Sequence, residues 1–208
     1  MSTQIYGIYE VETINGTYYT IAERYYAGEA MPDRRENHMN FLNLAKERYS
    51  VRKFSDRNVE QGKLDLILEA GRVAPTAENK QPQRILVLNT ENGLAKLRDC
   101  TPFHYDSHLV LLVCYDNTVS WKRSIDQKDM GEIDAAIVAT HMMLEAASVG
   151  VGCTWIGYFD SQKITEAYNL PKNILPVVLL PMGYPEESSN AHPYHFKRAD
   201  IEKTVFYF

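Results

Sequence analysis

Between Ile133 and Val149 the chain places Ile133, Ala136, Ile137, Met143, Leu144 and Ala147 along one part of a helix and Ala135, Val138, Met142 and Ala146 along the rest. At 3.6 residues per turn such a helix has almost no polar side, so it needs cover from several directions at once. The simplest way to supply it is a central core position, with the remaining apolar surface set against a second copy of the chain. The methionines in it read as packing groups.

The other elements follow from periodicity. Leu109 to Tyr115 is a fully apolar strand, and Ile174 to Met182 reads as a further strand. Phe41, Leu42, Leu44 and Ala45 give a short amphipathic helix ending near Arg48. In a second helix, Val59 to Arg72, the residues Leu64, Ile67, Leu68 and Gly71 share one face, and Pro75 sets its limit. Arg84 to Leu88 is a short buried strand, Glu91 to Arg98 a polar helix, and Val151 to Tyr158 a strand. Ser161 to Tyr168 is a helix that Asp160 can cap. No periodicity organises 101–130. Thr204 to Phe208 is β-prone and apolar at the end of the sequence, a composition that asks for a sheet to join.

Residues 1–38 differ in character. Ile5 to Thr13 and Thr17 to Tyr26 are rich in Tyr, Ile, Val and Thr and flank Asn15-Gly16, a hairpin-turn pair. The polar, proline-bearing stretch at 30–37 reads as a linker. This predicts an N-terminal extension, 1–38, and a main domain, 39–208.

Composition excludes several classes. With 208 residues, 45% of them hydrophobic, and a formal charge of −5, the chain reads as an ordinary soluble globular protein. No apolar run is long enough to span a membrane and no signal-peptide layout opens the sequence, so a cytoplasmic location is expected. The acidic balance argues against a nucleic-acid partner. Three cysteines without C-x-x-C spacing suggest reduced thiols. Six scattered histidines with no metal-ligand pattern suggest no metal site.

The chemistry-bearing residues fall in four clusters. Arg48-Tyr49-Ser50-Val51-Arg52 sets two guanidinium forks and a hydroxyl in alternation, so all three can point to one side of an extended segment. Guanidinium forks match phosphate oxygens two bonds at a time, which makes this an anion-binding candidate. Lys53 has the opposite parity and reads as a solvated charge. The second cluster is Pro75-Thr76-Ala77-Glu78-Asn79-Lys80-Gln81-Pro82, and the third Gly150-Val151-Gly152-Cys153-Thr154-Trp155-Ile156-Gly157. A cationic patch runs from His195 to Arg198. Gly150-Val151-Gly152 is not a dinucleotide fingerprint, since no third glycine opens a helix after it. Cys153 has no basic partner in sequence to activate it and reads as a small buried residue.

In this order the clusters resemble the FMN-dependent nitroreductase family, with its R-x-S-[VI]-R-x-F, P-[ST]-x-x-N-x-Q-P and G-x-G-x-x-W-[IV]-G patterns and a late Lys or Arg. The resemblance covers 39–208 and assigns no role to 1–38, which is either an extension without function or a segment that packs on a dimer or gates the site. The family pattern continues Q-P-W, and here Gln83 stands in that place.

The resemblance implies an α+β fold, a mostly antiparallel sheet of about four strands flanked by helices. In the family, the C-terminal segment crosses to the partner of a homodimer and adds a strand there. It further implies FMN at the subunit interface, its phosphate held by Arg48, Ser50 and Arg52 with Lys197 or Arg198, and Tyr49 beside them. Asn79 would meet the flavin ring, with Pro75, Thr76, Ala77 and Gln81 as loop neighbours, the loop serving the other subunit's flavin. Ile156 and Gly157 would bring a backbone N–H to the reactive flavin nitrogen, with Thr154 and Trp155 along the same edge, and 101–130 would shape the substrate pocket. No side chain is then needed as nucleophile, because the cofactor carries the chemistry. The implied activity is ping-pong oxidation of NAD(P)H by a nitroaromatic, quinone or other electron-poor small molecule. A flavin-binding or carrier protein without turnover, or a reductive dehalogenase of the same superfamily, are the alternatives.

Overall fold

The computed structural model describes residues 7–12, 18–23 and 41–208. The chain divides into two compact units, Met1–His38 and Met39–Phe208. In the first, β1 (Gly7–Glu12) and β2 (Tyr18–Glu23) pair antiparallel, with Gly7 opposite Glu23 and Glu12 opposite Tyr18. The Asn15-Gly16 turn and the linker expected at 30–37 lie outside the described residues.

The second unit is built on a four-stranded antiparallel sheet in the order β3-β4-β6-β5, formed by β3 (Gln83–Leu88), β4 (Leu109–Asp116), β5 (Gly152–Cys153) and β6 (Ile174–Gly183). An α+β fold is thus established. β4 is apolar at every core position because both its faces are covered. Leu109, Leu111 and Val113 meet one core layer, while Val110, Leu112 and Cys114 meet the other.

On the first face lie α2 (Gln61–Val73) and α4 (Gly131–Ser148); on the second lie α3 (Glu91–Arg98) and α5 (Ser161–Ala167). The short α1 (Phe41–Glu47) precedes them. In α4, Ala135, Val138, Ala139, Met142 and Ala146 form the fully buried stripe. The apolar residues off that stripe are only partly covered within the chain: Ile137 and Met143 are half-buried and Ile133 is exposed. Caps fix two helix starts. The Thr90 side chain accepts from the Gly93 N–H, and Asp160 accepts from the N–H groups of Gln162 and Lys163. No helix among the described residues is long and apolar enough to cross a membrane.

Two elements differ from the sequence reading. The strand predicted over 151–158 is regular only at Gly152–Cys153, although Ile156 bridges Leu179 in the same register. Thr154 donates its N–H to Pro181 O at 3.2 Å, and Pro181 has no N–H to return, so the ladder breaks there. The predicted β-run at 204–208 joins no strand among the described residues. It follows a 3-10 turn, Ile201–Lys203, and leaves Phe206, Tyr207 and Phe208 exposed.

Candidate functional site

An extended segment shows alternate side chains to opposite sides, and 48–52 does so. Arg48, Ser50 and Arg52 line one cavity of about 560 Å³, and Tyr49 and Val51 line an apolar pocket with Met143, Ala147 and Cys153; Arg48 borders both, and Glu47 borders the second. The segment lies beside β5 at the sheet edge. Ser50 bridges Cys153 in parallel fashion, and the Val51 N–H donates to Cys153 O at 3.1 Å. Further along, Ser55 N–H donates to Tyr184 O at 2.8 Å and Glu186 N–H to Lys53 O at 3.2 Å. Two clusters about a hundred residues apart in sequence are therefore laced together by backbone hydrogen bonds.

Close approach is required at Gly152: a Cβ there would sit 2.7 Å from Val51 Cγ2 and 3.1 Å from Gly183 O. Cys153 beneath is buried, and that burial pushes its thiol up to about 12, with nearby Arg48 opposing. It is no nucleophile at neutral pH.

The far wall of the larger cavity comes from the C-terminal region, where Arg198 lines it together with His192, Tyr194 and His195. Arg198 is steadied by donating from Nη1 to Lys197 O at 2.9 Å. Lys197 is not among the lining residues, and its Nζ stands 5.2 Å from the centre of the Tyr194 ring. Arg52 Nη1 donates to Ser50 O at 3.2 Å, and Tyr49 OH to Ser189 O at 3.2 Å. Lys53 is exposed.

Three guanidiniums thus share one cavity, no carboxylate lines it, and none of the three has an acidic partner among the described residues. Like charges gathered without a counter-ion favour a bound anion. The volume falls in the range of small-molecule sites, about 300–1,000 Å³, so more than a bare phosphate fits.

From Cys153 the chain runs along β6 to Gly157. Thr154 is buried and Trp155 partly exposed. The two N–H groups expected at the reactive ring nitrogen are not equivalent. Ile156 N–H is engaged by Leu179 O at 2.9 Å, while Gly157 N–H has no partner within the described chain. A Cβ at Gly157 would meet no protein atom within 4 Å, and its φ is not in the left-handed region. Nothing in the packing of the described residues requires glycine there, which fits a position kept clear for a ligand.

Gly157 lines a second cavity with Arg98, Thr101, Tyr158 and Lys163. Thr101 Oγ1 donates to Tyr158 O at 2.7 Å, and Phe103 packs edge-on to Tyr158 at 5.5 Å. The start of the region without periodicity therefore forms the wall beside Gly157.

The Pro75 loop lies apart, at the start of α4. Ala77 to Asn79 form a 3-10 turn in which Glu78 and Asn79, and then Gln81, have φ of 49°, 52° and 50°. These non-glycine left-handed residues are costly and are held by specific bonds. The Ala77 N–H donates to Asp134 Oδ1 at 2.9 Å and the Gln81 N–H to Thr76 Oγ1 at 3.0 Å. Asp134 is buried, and its Oδ2 has no partner among the described residues; the same is true of Gln83 Oε1. Pro75 and Asn79 are exposed. Within one chain, then, Arg48 and Gly157 line separate cavities, and none of the 75–81 residues lines either of them.

His192 and Tyr194 were not singled out from the sequence as cavity residues. The available signal was their nearness to the His195–Arg198 patch.

Comparison with known proteins finds relatives of this chain and of its fold. The family model described as "Nitroreductase family" matches residues 45–101 and 102–184. A crystal structure of a nitroreductase family protein from Clostridium difficile 630 is 40% identical and superposes with a TM-score of 0.77, over 81% of this chain and 98% of that one. An NADPH-dependent oxidoreductase of Staphylococcus aureus (strain USA300) is 25% identical over 191 residues, covering 79% of this chain and 76% of that protein. A protein of Exiguobacterium sibiricum 255-15, crystallised in complex with FMN, shares the fold at 22% identity, with a TM-score of 0.72 over 83% of this chain and 99% of that one.

Proposed function

The chain belongs to the nitroreductase family, and from that premise we propose that 39–208 forms an FMN site whose phosphate lies in the arginine-lined cavity and whose ring lies toward Gly157. The chain is an NAD(P)H-dependent oxidoreductase of the flavin-using kind. Under this reading it reduces nitroaromatic, quinone or similar electron-poor molecules, one substrate replacing the other in a single cleft.

One observation carries the assignment: Arg48, Arg52 and Arg198 converge with Ser50 on a cavity lined by no carboxylate. Each charge-assisted hydrogen bond to a phosphate contributes about 1.5–3 kcal/mol net. Arg48, Ser50 and Arg52 bind and orient from the sheet edge, and Arg198 closes the opposite side. Gly157 offers a free backbone N–H with no side chain in the way of a planar ring. When bound, FMN supplies the two-electron transfer between nicotinamide and acceptor.

The reading includes a homodimer. The half-covered apolar residues of α4 and the exposed aromatic tail at 206–208 are surfaces that a second copy would cover. The Asn79 loop, remote from both cavities of its own chain, would then serve the partner's flavin. The purified protein is expected to be yellow, to bind one FMN per chain, and to oxidise NADH or NADPH with a quinone as acceptor. Flavin binding without any turnover would leave a carrier, and a protein unable to take up FMN would end the proposal.

A further inference from the structure

The arginine-lined cavity holds more than arginines, and one of its histidines has its tautomer set by the backbone. His192 directly precedes the 3-10 turn Pro193–Phe196, and its Nδ1 accepts the Tyr194 N–H at 3.2 Å. A ring nitrogen that accepts a hydrogen bond carries no proton, so the neutral ring bears its proton on Nε2. Nε2 has no partner within the described chain and is the one polar atom left on the ring. The Tyr194 ring packs edge-on at 4.7 Å and restrains the imidazole plane. The neighbouring His195 is placed differently, against Tyr49 at 6.5 Å and Phe196 at 4.9 Å, with no hydrogen bond to its side chain among the described residues.

We propose that His192 is a phosphate ligand of this cavity, donating from Nε2–H to an oxygen of the group held by Arg48, Ser50, Arg52 and Arg198. The donation needs no charge on the ring, because the Nδ1 bond already orients the proton. The inference rests on reading the cavity as the FMN phosphate site, and it adds an imidazole donor beside the guanidiniums and the Ser50 hydroxyl.

The two ring nitrogens can be tested separately. In His192→Asn the amide oxygen reaches the Tyr194 N–H, since Asn is a favoured cap, but nothing extends to the Nε2 position. In His192→Gln the amide nitrogen reaches the Nε2 position and the cap is lost. FMN and riboflavin, which lacks the phosphate, are titrated into the flavin-free full-length protein and binding is read from quenching of flavin fluorescence. His192→Asn should weaken FMN about tenfold or more, the low end for one charge-assisted hydrogen bond, and leave riboflavin unchanged. His192→Gln should stay within about threefold of wild type for FMN, keeping the donor.

The inference is overturned if His192→Asn binds FMN as wild type does, or weakens FMN and riboflavin equally, since His192 would then only shape the turn. Arg48→Ala, titrated in parallel, separates this from failure of the broader reading. If Arg48→Ala leaves FMN binding intact, the cavity is not the phosphate site and both ideas fall. If Arg48→Ala weakens FMN and His192→Asn does not, only the role of His192 falls.

Discussion

The contact between Gly152 and Val51 makes Gly152→Ala a quantitative probe of how the arginine segment is mounted. The added Cβ would lie 2.7 Å from Val51 Cγ2, 3.1 Å from Val51 Cβ and 3.1 Å from Gly183 O. Ordinary carbon contacts begin near 3.5 Å, so Val51 must recede by about 0.8 Å, since the backbone carbonyl of Gly183 blocks the opposite direction. Val51 is 2% exposed and β-branched, so it cannot rotate out of the way. Overpacking of this kind costs about 1–3 kcal/mol. The displacement falls between Ser50 and Arg52 and stretches the 3.1 Å bond from Val51 N–H to Cys153 O beyond useful length. FMN affinity should drop about tenfold through the loss of one charge-assisted hydrogen bond. Gly71→Ala is the control, because its nearest neighbours, Met142 Cγ and Sδ at 2.9 Å, belong to a flexible unbranched side chain. Urea unfolding and flavin-fluorescence titration of both variants provide the readouts. A Gly152→Ala protein that loses stability yet binds FMN normally would show that the strand contact does not position the arginines.

Other consequences are open to test. Asp134→Ala orphans the Ala77 N–H and releases a loop with three left-handed residues, so it should cost about 1–3 kcal/mol, or roughly 2–4 °C of Tm per kcal/mol. Unchanged thermal unfolding would deny Asp134 that clamping role. Asp116 accepts from the Thr118 hydroxyl, from Asn173 Nδ2 and from the Thr118 N–H, and with Arg84 beside it its carboxyl is lowered to about 2. Its folded pKa lies below the unfolded value of about 3.9, so its stabilisation is present above pH 4 and disappears as pH falls toward 2. The stability difference between wild type and Asp116→Asn should therefore shrink from pH 5 to pH 2 in acid-unfolding curves; a constant gap would refute the linkage.

The elements most legible in sequence were those whose pattern is local. α3 spans Glu91–Arg98 as read, and the apolar helix at 133–149 appears as α4, Gly131–Ser148. R-x-S-x-R was informative because extended-chain parity puts Arg48, Ser50 and Arg52 on one cavity, with Val51 in the neighbouring apolar pocket that Arg48 also borders. The predicted strand at 151–158 misled because its ladder depends on a partner in β6, where Pro181 lacks a donor; that proline was visible, but the pairing that gives it meaning was not. His192 and Tyr194 reach the cavity only after the chain folds back over some 140 residues, and no periodicity marks such a return. Residues 101–130 lack a repeating pattern for the same reason: Thr101 and Phe103 are placed by tertiary partners, the carbonyl and ring of Tyr158.

The most direct test of the arginine cage is the affinity of the flavin-free wild-type protein for FMN against riboflavin, which share the ring and differ in the phosphate. Two charge-assisted hydrogen bonds alone predict that FMN binds at least about 100-fold more tightly, with the advantage shrinking as salt rises. Equal affinities for the two flavins would contradict the assignment of Arg48, Ser50, Arg52 and Arg198 to the phosphate.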